Sequence, residues 1–363
     1  MATLYEKVYG CLAASRIGSA MGAPVEGWTP EGVQAPRGYV DRVQKVYGWV
    51  DQLLPYTHYA NRGIDWERLP GTTEDGIERQ KLMTQAIITK QDRITAEDLY
   101  KTVVDVTDLD KIWYMTEPSD IRVLKFMTCG VPAIEVGRLS GWHDLNFNRA
   151  CQPIGLINAC DPAGADRDVR DIGRLFYAPT DGALVWAGVY VAAIAEACRP
   201  GATIDSIVDV AMQFADERMQ REMGRAIEIA RGAADWEAMR DEFYTIYNGG
   251  GIPYAACYAS ETVSKGLAVF VHARGDAKTA VLTGVNFGRD TDCLAATAGG
   301  LAGAFSGIGA LPEEWVKQVD EATFANPYTN IQCTIQEHAE GVYRALQNRA
   351  QKMGALAQTL TNS

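Results

Sequence analysis

The chain of 363 residues is long enough to bury a large core, and 47% hydrophobic with 22% charged residues places it among soluble globular proteins, not disordered ones. A formal net charge of −12, from 46 acidic against 34 basic residues, argues against a broad basic surface for nucleic acid and suits sites built from carboxylates around divalent cations. Eight cysteines without a C-x-x-C pair read as reduced thiols, and the start MATLYEKVYG lacks the cationic and apolar regions of an export signal, so a cytoplasmic location is expected.

Thr3-x-x-Glu6 is a capping-box pattern, after which Leu4, Val8, Cys11 and Leu12 recur on one helical face until Gly18 and Gly22. The segment at about 28–70 holds seven aromatics (Trp28, Tyr39, Tyr47, Trp49, Tyr56, Tyr59, Trp66) with several Pro and Gly and no sustained period, so it reads as a long, partly structured insertion. Helical spacing returns with Ile77, Leu82, Ala86 and Ile87, and Thr95-x-x-Asp98 caps another helix carrying Leu99, Val103 and Val104. A Gly/Pro-rich stretch follows around Gly130 to Gly155. The apolar run Ala183 to Ala195, opened by Thr180-Asp181-Gly182, is too short to span a bilayer and predicts a buried central helix.

Further helical patterns cover about Ile204–Gly232, Asp235–Tyr247, Tyr254–His272, Ala277–Val285, Cys293–Phe305 and Ile331–Lys352. Cys293 to Leu311 carries no charge for 19 residues, with Gly299, Gly303 and Gly307 in overlapping G-x-x-x-G patterns. It is rich in Gly and Ala and has no flanking Lys/Arg or aromatic belt, so it predicts a close-packed helix in a water-soluble fold, with no membrane partner. Strand alternation is scarce and no repeat is visible. The expectation is an all-α fold, a compact orthogonal helical bundle over 1–363 as a single domain.

Two acidic clusters stand at helix entrances, Thr72-Thr73-Glu74-Asp75 and Asp290-Thr291-Asp292. Carboxylates two positions apart in a turning segment can converge on one point, and a Thr hydroxyl adds a hard oxygen, a set that Mg²⁺, Mn²⁺ or Ca²⁺ accepts. Asp, Glu and Thr at such positions equally serve as helix caps, and either cluster alone fits both readings. The four histidines show no H-E-x-x-H or i, i+4 pairing, and no G-x-S-x-G elbow, Walker loop or dinucleotide fingerprint occurs, which disfavours zinc enzymes and the common hydrolase, kinase and dehydrogenase classes.

The second cluster lies in a longer block: Gly249-Gly250-Gly251-Ile252-Pro253, a helix, Gly275-Asp276, a helix, Asn286-Phe287-Gly288-Arg289-Asp290-Thr291-Asp292, the Gly/Ala helix, then Leu311-Pro312-x-x-Trp315. This resembles the C-terminal half of the ADP-ribosylglycohydrolase family, which includes the dinitrogenase reductase-activating glycohydrolases and the J1 crystallins. Gly18-Ser19-Ala20-Met21-Gly22-Ala23-Pro24-Val25-Glu26 looks like that family's G-D-A-x-G-x-P-x-E, and Gly71 to Asp75 looks like its G-x-T-D-D. The three motifs stand in the family's order over about residues 4 to 315.

The resemblance implies an all-helical fold with one or two divalent ions, Mg²⁺ or Mn²⁺, in a cleft, held by Thr73, Glu74, Asp75, Asp290 and Asp292. The ions would grip the ribose hydroxyls of an ADP-ribosylated substrate or ribosylated small molecule while its N-glycosidic bond is cut. Glu26 and Asp75 would take catalytic roles, and Asn148, Gly155, Gly249 and Gly250 would touch substrate. The chemistry is coherent, because ribosyl cleavage builds oxocarbenium-like charge that carboxylates stabilise and metal ions orient the sugar diol.

The sequence departs from the family at Ser19, Glu74, Gly76 and Cys293, which stand for Asp, Asp, Thr and a Thr or Ser respectively. A thiol is a poor ligand for Mg²⁺, so these exchanges imply a weakened position for one ion. The family's N-G-A-x-M-R stretch is shortened here to Asn148-Arg149-Ala150-Cys151-Gln152-Pro153-Ile154-Gly155 and lacks the Met-Arg pair. That leaves three functions open: an ADP-ribosyl hydrolase, a hydrolase of nucleoside-like compounds without a diphosphate, and a catalytically silent binding or structural protein. The insertion reads as a packing flap or as part of the substrate wall, and its tethering between Glu26 and Thr73 keeps it near the cleft.

Overall fold

The structure is a computed structural model that describes residues 2–26, 49–55, 68–108, 110–111, 118–247 and 257–361. Sixteen α-helices and no strand occur among them. In chain order they are α1 (Leu4–Gly22), α2 (Asp75–Lys90), α3 (Ala96–Val106), α4 (Pro118–Thr128), α5 (Ala133–Ser140), α6 (Gln152–Ile157), α7 (Pro162–Gly173) and α8 (Gly182–Ala197). Then follow α9 (Ile204–Gln213), α10 (Glu217–Gly232), α11 (Trp236–Tyr247), α12 (Ala259–His272), α13 (Ala277–Asn286), α14 (Thr291–Ser306), α15 (Glu313–Ala325) and α16 (Ile335–Thr361). The fold is all-α, as the helical spacing predicts.

The caps read from sequence form as hydrogen bonds. Thr3 Oγ1 accepts from the Glu6 N–H at 3.2 Å while the Glu6 carboxylate accepts from the Thr3 N–H at 2.7 Å, and Thr95 and Asp98 repeat the arrangement before α3. Asp181 caps α8 by accepting from the Ala183 N–H at 2.9 Å. Almost every residue of α8 is buried, so it is the central helix that its unbroken apolar run predicts.

α1 and α14 form the axis of the bundle. Gly10, Ala14, Gly18 and Gly22 line one ridge of α1, and each meets a small or backbone-only stretch of α14, so the two backbones touch along their length. A Cβ on Gly18 would stand 2.5 Å from the Ala295 carbonyl carbon, and one on Gly22 would stand 2.5 Å from the Asp292 Cα. Gly303 closes the far end against Gly10. Ridges of small residues at every fourth position interlock in this way, and the G-x-x-x-G pattern finds its partner inside the protein. The order of the contacts, from Gly10 against Gly303 to Gly22 against Asp292, makes the pair antiparallel and brings the end of α1 to the start of α14. No helix among the described residues is long and apolar enough to cross a membrane.

Three boundaries differ from the sequence expectation. The pattern over 204–232 breaks into α9 and α10 because Asp216 accepts from the Met219 N–H at 2.9 Å and starts a new helix. The Gly/Pro-rich stretch holds α5 and α6, each opened by a proline: Pro132 before α5 and Pro153 in the first turn of α6, where a missing N–H removes no helical bond. The last helix starts at Ile335 and runs on to Thr361, through exposed residues that carry no core pattern. Of the aromatic insertion, residues 49–55 and 68–70 are described. Asn286 clamps Val50 there, accepting from its N–H at 2.9 Å and donating to its carbonyl at 2.8 Å.

Candidate functional site

The axis helices deliver the first two groups of the site. Where α1 ends, the Thr291 hydroxyl donates to the Gly22 carbonyl at 2.8 Å, tying the C-terminus of α1 to the N-terminus of α14. A short turn at Ala23–Val25 then carries Glu26 over the start of α14, beside Asp290 and Asp292. The second acidic cluster arrives on α2, with Glu74 as its N-cap residue and Asp75 in its first turn.

In the first cluster Asp75 Oδ1 accepts from the Gly76 N–H at 2.7 Å, whereas the two N-cap residues themselves do not act as caps. Glu74 and Asp290 hold the N-cap positions of α2 and α14, yet neither side chain bonds a backbone N–H of its helix. Both side chains are buried and line a cleft of about 320 Å³. Glu26, Glu74, Asp75 and Asp290 form its acidic floor, Trp142, Leu145, Asn146, Cys257 and Cys293 its walls, and Arg79 and Arg149 its basic groups.

Supporting bonds aim these acids. The Asn146 amide donates to Asp290 Oδ2 at 3.2 Å and to the Cys257 carbonyl at 3.0 Å. Arg289, just before Asp290, holds a left-handed backbone at φ 61°. Its guanidinium donates to Glu261 at 2.5 and 2.9 Å, and Lys265 pairs with the same buried carboxylate, which fixes the turn from which Asp290 projects. Arg79 lies 4.5 Å from the centre of the Trp142 ring and 3.4 Å from Asp75.

Arg149 crosses the acidic floor. It pairs with Asp292 and Asp75 and reaches Glu74 Oε2 at 3.4 Å. Burial pushes the Glu74 and Asp290 carboxyls well above the usual carboxylate range, and the neighbouring charges of Asp292 and Glu26 push them further. Asp292 is buried as deeply, but the Arg149 guanidinium together with hydrogen bonding to the Asp290 and Glu74 carboxyls outweighs that and holds it below the usual value.

Two groups among the described residues bring three possible ligand atoms within 4.8 Å of one another: Glu26, Glu74 and Asp292, and Asp290, Asp292 and Cys293. Glu74 Oε1, Asp290 Oδ1 and Asp292 Oδ1 are buried with no hydrogen-bond partner. Orphaned carboxylate oxygens facing one another are expensive unless a shared proton or a cation joins them, and the donor set fits a divalent ion at Asp290 and Asp292. The Glu26, Glu74, Asp292 position fits one poorly, because Arg149 already lies against Glu74 and Asp292.

The structure therefore brings together Glu26, Glu74, Asp75, Asp290 and Asp292 from three remote segments of the chain. Thr73 and Asp292 are buried without lining the cleft, and Asp292 lies within ligand distance of Asp290, Glu74 and Glu26, which do line it. Asn148 is fully buried, donating to Thr297 Oγ1 at 2.5 Å and accepting from the Thr262 hydroxyl at 3.3 Å. Gly155 packs against α8, where a Cβ would stand 2.7 Å from Ile194 Cγ2; neither residue lines the cleft. Gly249 and Gly250 lie outside the described residues. Sequence reasoning passed over Arg149, Arg79, Trp142 and Asn146 as site residues; only Arg149 carried a signal, standing where the family stretch has its Gly.

Comparison with known proteins agrees with the motif order. The ADP-ribosylglycohydrolase family model matches residues 1–352. The chain belongs to the ADP-ribosylglycohydrolase family. It is similar to the uncharacterized protein YegU of Escherichia coli (strain K12), at 23% identity over 331 residues that cover 87% of this chain and 92% of that one. An uncharacterized protein of Archaeoglobus fulgidus is 22% identical over 330 residues, covering 88% and 93%. Among solved structures, a chain of an "ADP-ribosylglycohydrolase-related protein complex" superposes with a TM-score of 0.63 at 18% identity, covering 95% of this chain and all of that one, which shows the shared fold.

Proposed function

We propose that the protein is a metal-dependent hydrolase of a ribosyl N-glycoside. The observation that supports this best is the convergence of Glu26, Glu74, Asp75, Asp290 and Asp292 at one cleft, with three buried carboxylate oxygens left without partners. Asp290 and Asp292 would hold a divalent ion, Mg²⁺ or Mn²⁺, which supplies Lewis acidity toward the sugar oxygens when bound. The acids around the cleft stabilise the positive charge that grows on the ribose as its bond to nitrogen breaks. Glu26 stands at the cleft on a turn rather than within a helix, and it is the group we assign to proton transfer. Asn146 orients Asp290, and Asp75 orients Arg79 and Arg149. Trp142 backs the wall and holds Arg79 over its ring at 4.5 Å.

A second reading of the substrate rests on the 148–155 stretch. Asn148 is consumed by Thr297 and Thr262, Arg149 by the acids, and Pro153 to Gly155 by the packing of α6 on α8. None of these groups is left to grip a diphosphate, which favours a nucleoside-like ribosyl compound over ADP-ribose. Under both readings the partner is a small ribosylated molecule or an ADP-ribosylated one; the cytoplasmic location we propose rests on the eight free cysteines.

The test is to incubate the protein with Mn²⁺ or Mg²⁺ and ADP-ribosyl-arginine, ADP-ribosyl-serine or ordinary nucleosides, and to follow sugar release by chromatography. Release from at least one substrate is expected, and Glu26→Gln should lower kcat by about 10²–10⁴-fold while Mn²⁺ binding is unchanged. Binding without turnover of any of them would point to a silent family member. Tight binding of ADP-ribose with none of nucleosides would remove the second reading.

A further inference from the structure

We propose that Arg149 is a resident cation standing in for one of two divalent ions, so that the cleft loads a single ion, on Asp290, Asp292 and Cys293. This deepens the metal-dependent reading above and rests on it.

The two possible ion positions share Asp292. At the Glu26, Glu74, Asp292 position, Arg149 Nη1 already bonds Glu74 Oε2 at 3.4 Å and pairs with Asp292 Oδ2. Its Nη2 pairs with Asp75 Oδ1. One guanidinium thus engages a carboxylate from each of three residues, the office a bound metal would perform there, and it repels a second cation placed on the same oxygens. At the other position the oxygens are open, because Asp290 Oδ1 and Asp292 Oδ1 have no partner and both residues are more than nine-tenths buried. Asp292 therefore turns Oδ2 to the guanidinium and keeps Oδ1 for an ion.

Arg149 is built into this place. Its stem threads the volume that a side chain at Gly76 would fill, where a Cβ would stand 2.6 Å from Arg149 Cγ and nearer still to Cδ and Nε. Its root is fixed on one side by fully buried Asn148 and on the other by Cys151 at the start of α6. The two positions are exchanged in size against the motifs they match: Gly76 stands where those motifs have Thr, and Arg149 where they have Gly. A large cationic side chain enters only where its neighbour across the cleft has lost its own side chain. Cys293 completes the open position with sulfur within 4.8 Å of both aspartates, a donor that suits Mn²⁺ better than Mg²⁺.

The experiment is a count of bound ions. Full-length protein stripped with EDTA is titrated with Mn²⁺ by calorimetry and, after gel filtration, its metal is counted by mass spectrometry; electron paramagnetic resonance reports whether Mn²⁺ ions are coupled. Wild type should bind one Mn²⁺ per chain and show an isolated-ion spectrum. The paired variant Gly76→Thr with Arg149→Gly should bind two and show an exchange-coupled spectrum. Two ions in wild type would overturn the inference and leave metal dependence standing. A folded paired variant that still binds one would also overturn it. No ion in wild type would sink this inference together with the metal-dependent reading, whereas one ion without hydrolysis of any ribosyl substrate would sink only the function. Should the paired variant fail to fold, the wild-type count and spectrum still decide.

Discussion

Arg16 is carried by α1 into the core with 1% of its surface exposed, and it meets Gln80 Oε1 at 2.9 Å and His338 Nδ1 at 2.7 Å. A guanidinium only donates, so His338 Nδ1 must accept, and the imidazole is neutral with its proton on Nε2. Burial, followed by the charges of Arg16 and Lys81, holds the His338 pKa well below its ordinary value. The folded value is depressed, so the unfolded chain takes up the proton first. The contribution to stability is therefore complete above the unfolded value near 6.5 and lost as pH falls below it, by up to about 1.4 kcal/mol per pH unit. We expect the melting temperature of wild type to fall more steeply between pH 7 and 5 than that of His338→Gln, which keeps an acceptor for Arg16 but does not titrate. Parallel profiles in thermal denaturation would show that His338 carries none of the acid sensitivity. The raised carboxyls of Glu74 and Asp290 have the opposite sign and are common to both proteins, so they cancel in the difference.

At the scale of elements, the α1–α14 seam decides both the fold and the placing of the site. Gly10→Ala and Gly22→Ala should be comparably harmful to stability, since a Cβ would stand 2.5 Å from Gly307 C in the first case and 2.5 Å from Asp292 Cα in the second. Each should cost roughly 1–3 kcal/mol in urea denaturation. Only Gly22→Ala shifts the backbone that bears Asp292, so it alone should weaken Mn²⁺ binding to the folded protein, about tenfold or more, as read by calorimetry. Equal affinities in the two variants would mean that the seam does not position the ligands. The seam also marks what sequence could convey. Gly299, Gly303 and Gly307 announce a helix packed closely against something, and local spacing cannot say that the something is the first helix of the chain. Caps such as Thr3 with Glu6 are legible because every participant lies within one turn. The helices hidden in the Gly/Pro-rich stretch were not, because a proline at a helix start and a proline that ends one look alike in sequence.

At the scale of the molecule, the site ties together segments that the chain holds far apart: the end of α1, the start of α2, the turn at Asn148 to Cys151 and the start of α14. The motifs made the acids legible, since each motif is local and their order is that of the family. The role of Arg149 was not, because a guanidinium among carboxylates is a property of three-dimensional convergence. That convergence also separates a metal ligand from a helix cap in a single variant, Asp290→Ala. If Asp290 served as a cap, its loss would lower stability by about 1 kcal/mol whether or not an ion is present. The structure shows no such bond from its side chain, and it shows burial and the charges of Asp292 and Glu26 disfavouring its ionised form. Removing it from metal-free protein should therefore leave the melting temperature unchanged or raise it. In wild type, Mn²⁺ at a hundred times its dissociation constant should add about 2.7 kcal/mol, a rise of a few degrees, and in Asp290→Ala that rise should vanish. Thermal scans of both proteins in EDTA and in Mn²⁺ give the four temperatures required. A variant that melts lower in EDTA and still gains from Mn²⁺ would return Asp290 to the helix-cap role, whereas the crossing of the two pairs of temperatures is what a cation site at the head of α14 demands.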